Sequence, residues 1–176
     1  MKRRVWIGAG VVGAVAVGAG VALRLRNEAA GVDRQAAAGL WQSSFEQLGA
    51  GRLDMATLRG RPLVINFWAT WCAPCVREMP MLDRFRKEHA ARGWEVVGIA
   101  ADKKAPVAEF VARLGIGFPI ALAGAEGIAL SRRLGNDMGG LPFTVVTDRE
   151  GAIRARKIGE IKPEDLADWA NRFGSR

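Results

Sequence analysis

The chain has 176 residues, 49% of them hydrophobic and 25% charged, with a formal net charge of +8. Residues 1–34 carry +4 of that charge (six Lys/Arg against two Asp/Glu), which leaves only +4 for everything after them. With no basic stripe interleaved with aromatics, this balance argues against a nucleic-acid-binding surface. With the N-terminus set aside, the length supports one domain of about 130–140 residues.

Lys2-Arg3-Arg4 form a basic N-terminus (residues 1–4), and Val5 to Leu23 are 19 residues without a charge. At a rise of about 1.5 Å per residue, residues 5–23 just span a hydrocarbon core. Arg24 and Arg26 follow at once, as at the edge of a membrane anchor. The expectation is a single transmembrane anchor with its N-terminus inside. Two rival readings are a cleaved secretory signal, with small-residue sites near 19–22 or 29–30, and a loosely matching twin-arginine signal at Arg3-Arg4. All three deliver the domain across the membrane. Residues 24–39 read as a polar, Ala-rich linker without periodicity, and 40–176 as the folded domain.

Trp41 to Leu58 is expected to form a short hairpin turning at Gly49-Ala50-Gly51. Gly60-Arg61-Pro62 launches a β-branched apolar strand, Leu63 to Trp68. A helix follows from Cys72 to about Ala90, carrying Val76, Met79, Leu82 and Phe85, bent at Pro80 and ended by Gly93. Trp94 to Ala101 is the next, parallel strand. Val107, Phe110, Val111 and Leu114 recur at i, i+3, i+4 and i+7, an amphipathic helix. Phe118 to Leu122 reads as a short strand and Ile128 to Leu134 as a weaker helix. Phe143 to Thr147 and Ala152 to Ile158 flank the turn Asp148-Arg149-Glu150-Gly151. Pro163 opens a closing helix with Leu166, Trp169, Ala170 and Phe173 on one face. The fold class is α/β, a central mixed sheet with helices on both faces and an N-terminal hairpin extension.

Cys72 and Cys75, in the run Trp71-Cys72-Ala73-Pro74-Cys75, are the only cysteines. Residues i and i+3 at a helix start share one face, with β-carbons about 5–6 Å apart, so a small adjustment closes a disulfide. A bridge over two residues restricts little of the unfolded chain, which makes a purely structural role weak. Zinc needs about four ligands, usually two such pairs or a pair plus two histidines, and the chain has one pair and one histidine, His89. His89, near the helix end, reads as a surface residue. A peroxidatic cysteine usually has Thr three residues earlier, where this chain has Ala69. The dithiol reading is favoured: Cys72 at the helix N-terminus, where unpaired N–H groups and the dipole favour its thiolate, is the nucleophile. Cys75, one turn in, is the buried resolving thiol, and Pro74 suits a first turn.

The run Trp-Cys-Ala-Pro-Cys with Glu78 and Pro80, and a second landmark Gly140-Leu141-Pro142-Phe143-Thr144-Val145-Val146, resembles the TlpA/ResA-like branch of the thioredoxin superfamily. The resemblance covers about Leu40 to Phe173. It implies a thioredoxin-like fold and a cis-proline at Pro142 facing the disulfide, with Leu141 offering backbone groups to a bound substrate strand. It also implies thiol–disulfide oxidoreductase activity in the reducing direction, often serving cytochrome c maturation or copper-site assembly. Asn66 departs from thioredoxin proper, which has a titrating aspartate there; Asn cannot titrate. Glu78, on the face of Cys75, is therefore the candidate proton acceptor, against the alternative of a solvated carboxylate paired with an Arg. Trp71 is expected to shield the disulfide rim and contact partners, and Trp68 to lie in the core. No cofactor beyond the Cys72–Cys75 disulfide and no metal is expected. The partners implied are a disulfide-containing protein substrate and a membrane thiol–disulfide electron donor. The expected place is the bacterial inner membrane with the domain in the periplasm. Two rivals stay open: a disulfide-donating oxidase of the same fold, and a Cu(I) carrier using both thiols as soft ligands.

Overall fold

The strand Leu63–Trp68 (β3) is buried at all six positions, as a central strand must be when both faces of its sheet are covered. Its side chains alternate between two cores: Leu63, Ile65 and Phe67 enter one, Val64 and Trp68 the other. In this computed structural model residue 31 and residues 33–49 and 51–174 are described. The expected anchor, residues 5–23, lies outside them. Among the described residues no helix is long and apolar enough to cross a membrane.

Residues 33–41 are helical (α1), and Ala36–Arg176 form one compact unit. The unit continues through β1 (Ser44–Gln47), β2 (Arg52–Asp54), β3, α2 (Ala73–His89), β4 (Glu95–Ala100), α3 (Lys104–Leu114), β5 (Ile120–Leu122), α4 (Gly124–Arg133), β6 (Phe143–Thr147), β7 (Ile153–Ile158) and α5 (Pro163–Phe173). The seven strands form one mixed sheet in the order β2-β1-β5-β4-β3-β6-β7. β3 runs parallel to β4 and β4 to β5, while β6 pairs antiparallel with both β3 and β7. The hairpin β1–β2 joins the sheet itself, because Glu46 and Gln47 pair antiparallel with Leu122 and Ala121 of β5.

One face is covered by α2, α3 and α5, through Met79, Leu82, Phe85, Val107, Phe110, Leu166 and Trp169. Trp68 belongs to this core, fully buried, with its ring 5.2 Å from that of Phe110. The opposite face is covered by Leu40 and Trp41 of α1, by Phe45, Leu53 and Met55, and by Leu130 of α4. This is the mixed sheet with helices on both faces that the pattern implied.

Three local readings differ. The end of the expected linker, from residue 33, is helix: its alanines are strong helix formers, and Ala37, Leu40 and Trp41 sit on one buried face at i, i+3 and i+4. α4 begins four residues before Ile128, because Gly124 and Gly127 hide its helical periodicity. Gly127 is a packing glycine, since a β-carbon there would stand 3.2 Å from Ala123 Cβ. His89 is half-buried, its ring centroid 4.6 Å from that of Phe85.

Gly98 of β4 lets Trp68 and the β5 side chains close over the strand. An added β-carbon would lie 2.8 Å from Ile120 Cδ1 and 2.9 Å from Trp68 Nε1. Gly98→Ala should therefore cost about 1–3 kcal/mol by overpacking, read as a lower urea midpoint. An unchanged midpoint would mean that the Trp68 layer yields to the methyl group.

Candidate active site

Cys72 is the N-cap of α2, with extended backbone (φ −93°, ψ 98°), and Ala73 and Pro74 open the first turn. The cap is unusual in its acceptor: Cys72 Sγ, not a hydroxyl or carboxylate, accepts the Cys75 N–H at 3.3 Å. Cys72 and Cys75 are joined in a disulfide with Cα atoms 5.3 Å apart. Cys75 is fully buried, while Cys72 retains a small exposed surface. A reagent arriving from solvent therefore meets Cys72 first. When the bond opens, the N-terminal N–H groups of α2 face the Cys72 sulfur, a setting that favours a thiolate.

The loop that delivers Cys72 is held from the side. Asp102, just beyond β4, accepts the Thr70 N–H at 2.9 Å and the Thr70 hydroxyl as well. Burial of Asp102 raises its pKa, but the hydrogen bonds from the Thr70 hydroxyl and from the Lys103 and Thr70 N–H groups outweigh this and hold it below the ordinary carboxylate value. Asp102 keeps its charge and so its grip on Thr70. The sequence reading missed it. The available signal was an Asp two residues past the end of the strand parallel to β3. Trp71, next in the loop, is 68% exposed.

Asn66 is the one polar residue of β3, and alternation places it on the α2 face between Val64 and Trp68. Its Cα partner across the sheet is Thr144 of β6. Asn66 Nδ2 donates to Glu78 Oε1 at 2.7 Å and to Thr144 Oγ1 at 3.0 Å. Glu78 Oε2 accepts the Ile161 N–H at 2.7 Å. Glu78 is thus 98% buried and bonded on both oxygens, not a solvated partner for an arginine. Its neighbour Arg77 pairs instead with Glu160. Burial pushes the Glu78 pKa up to about 7, partly offset by the Ile161 and Asn66 hydrogen bonds. A carboxyl group near half-protonation at neutral pH sits one helical turn beyond Cys75.

The Leu141–Pro142 peptide bond is cis, in line with what the resemblance implied. Pro142 is buried, its C=O accepting the Gly159 N–H at 2.9 Å. Leu141 is half-buried against the core cluster that contains both cysteines. Its N–H and C=O have no hydrogen-bond partner among the described residues. Phe143 is the Cα partner of Phe67, so the segment entering β6 and the loop leaving β3 for Cys72 emerge at the same end of the sheet. The fold therefore places Cys72, Cys75 and Glu78 on the first turns of α2, with Leu141 packed on the same cluster.

Residues 44–171 match the family described as Redoxin. The chain is 29% identical over 123 residues to the thiol-disulfide oxidoreductase ResA of Bacillus thuringiensis (strain Al Hakam), covering 69% of each chain. It is 27% identical over 128 residues to the ResA of Bacillus subtilis (strain 168), covering 72% of this chain and 69% of that one. Among solved structures, a thiol:disulfide interchange protein of the thioredoxin family from Chlorobium tepidum TLS superposes with a TM-score of 0.68 at 27% identity, over 76% of this chain and 93% of the other.

Proposed function

The chain belongs to the Redoxin family, on its ResA/TlpA-like thioredoxin branch, and from that premise we propose that this thiol–disulfide oxidoreductase reduces protein disulfides from the periplasmic face of a membrane. The observation that carries the reading is the arrangement of the two sulfurs, Cys72 at the helix cap with a little exposed surface and Cys75 buried behind it. With both thiols reduced, the Cys72 thiolate attacks one sulfur of a substrate disulfide. The substrate S–S bond breaks, a Cys72–substrate disulfide forms, and the other substrate sulfur leaves as a thiolate that takes up a proton. Cys75 then loses its proton and attacks Cys72 Sγ. The mixed disulfide breaks, the Cys72–Cys75 bond closes, and the second substrate thiolate departs. Two electrons have passed from the protein dithiol to the substrate.

Cys75 is buried away from water, so its proton needs a local acceptor. In this mechanism Glu78 Oε takes it, and the carboxyl pKa of about 7 matches that task at neutral pH. An extended substrate segment pairs with the free N–H and C=O of Leu141, and Trp71 supplies apolar contact beside Cys72. The disulfide itself is the only redox group required. The electrons come from a membrane thiol–disulfide donor, and residues 5–23 hold the domain at the membrane. The family resemblance favours apocytochrome c or a copper-site protein as the substrate.

The test is the reduction potential of the purified chain, equilibrated in thiol buffers and read by tryptophan fluorescence. A value near that of thioredoxin, about −270 mV, is expected. A value near that of DsbA, about −120 mV, would reverse the electron flow and make the protein a disulfide donor.

A further inference from the structure

Met138 is 89% exposed, more than any other large apolar side chain among the described residues. It stands in the turn Asn136-Asp137-Met138-Gly139, where the Asn136 C=O accepts the Gly139 N–H at 2.7 Å. Turn positions of this kind ordinarily carry Gly, Asn, Asp or Ser. The turn is also strapped down. Asn136 is fully buried, its N–H donates to Ser131 C=O at 3.0 Å, and its Nδ2 donates to Gly140 C=O at 2.8 Å and to Ser131 Oγ at 3.2 Å. A buried asparagine thus holds an apolar side chain out in solvent on an anchored loop. That loop leads directly into Leu141–Pro142, at the sheet end from which Cys72 emerges.

We propose that Met138 selects substrates for this oxidoreductase by receiving an apolar side chain two or three residues from the substrate cysteine. The inference rests on the function proposed above, because it takes the occupant to be the disulfide-bearing segment paired along Leu141. Met138 is three residues before Leu141, at most about 10 Å along an extended chain. Met138 is therefore within reach of side chains a few residues from the cysteine of a segment that pairs at Leu141. The unbranched thioether adapts to side chains of different shape, so the contact selects for apolar character and not for one residue.

The probe is a pair of short peptides, each with one cysteine capped as a thionitrobenzoate mixed disulfide. They differ only in carrying Leu or Ser two and three residues on either side of that cysteine. Pre-reduced protein in excess attacks the mixed disulfide in a single turnover, and the released thionitrobenzoate is followed by absorbance. Each peptide rate is divided by the same protein's rate on the free Ellman reagent. The natural protein should prefer the Leu peptide by about tenfold. Met138→Ser should bring the two peptides within about twofold, and Met138→Leu should restore the preference. A Met138→Ser protein that keeps the full preference would overturn the assignment while leaving the oxidoreductase reading intact, as would equal rates on both peptides in the natural protein. A natural protein that released nothing from the reagent itself would overturn both.

Discussion

A Cys75→Ser protein is expected to accumulate as a covalent adduct with its substrate, whereas Cys72→Ser should form no adduct and lose turnover by on the order of a thousandfold or more. The asymmetry follows from where the sulfurs lie. Of the two sulfur-bearing residues only Cys72 keeps exposed surface, and its position at the N-cap, with its Sγ facing the Cys75 N–H at 3.3 Å, would give its thiolate a donor to lean on. Cys75 is fully buried, so it can act only on a sulfur already bonded to Cys72. Without it the mixed disulfide has no intramolecular exit. Non-reducing gels and intact-mass measurement read the adduct directly. Adduct formation by Cys72→Ser in place of Cys75→Ser would exchange the two roles.

Removing the buried carboxyl should produce the second large effect, on the pH dependence of stability. The folded state raises the Glu78 pKa from 4.5 to about 7, chiefly by burial. The fold therefore favours the protonated form. The stabilisation this gives is fully present below the unfolded value of about 4.5 and is lost as pH rises through about 7. Over that window the loss amounts to about 3 kcal/mol, taking 1.36 kcal/mol per pKa unit. Asp83, Asp102 and Asp165 have pKa values shifted down, so their contributions change at lower pH and leave the window to Glu78.

Glu78→Gln should flatten the profile, and it should fold. Two N–H donors, from Asn66 and Ile161, face the carboxyl group, and an amide can accept from only one of them with its oxygen. Asn66 Oδ1, however, is buried without a partner. Turning the Asn66 amide over lets that oxygen accept from the new amide, with the Thr144 hydroxyl donating to it too. Urea unfolding of the oxidised protein between pH 4.5 and 7.5 is the measurement. Equal slopes for both proteins would show that Glu78 is not the group that titrates. If Glu78 is also the acceptor for the Cys75 proton, the same variant slows resolution of the mixed disulfide, and its pH profile loses the inflection near 7.

What could be read from the sequence was what neighbours along the chain decide. The strand Leu63–Trp68, the helix start at Cys72-Ala73-Pro74 and the i, i+3 cysteine pair are all written within thirteen residues. Glu78 was legible from its place three residues beyond Cys75 on the same helix face and from the family pattern, but its burial was not, because a Glu in an amphipathic helix reads by itself as solvated. Its burial depends on Asn66 twelve residues away and on the Ile161 N–H eighty-three away, and Thr144, seventy-eight from Asn66, completes the set. The Asn66–Thr144 pair is a product of sheet register and the Glu78 contacts of the way α2 packs on that sheet, and no local periodicity encodes them. The same holds for Asp102, which meets Thr70 only because β4 runs parallel beside β3. The helical end of the linker and the early start of α4 escaped for a different reason. Alanine and glycine carry too little apolar contrast to display a periodic face, although their small size is what lets α4 approach the sheet.

The two ends of the sheet order also matter for how the domain meets other polypeptides. β2 is only three residues long, and β7 carries Arg154, Arg156 and Lys157 along its length. A bare hydrogen-bonding rim would let an extended polypeptide zip on as an eighth strand. A short rim at one end and a strongly cationic one at the other discourage that growth. Neither rim is then a template on which an extended chain would stay paired.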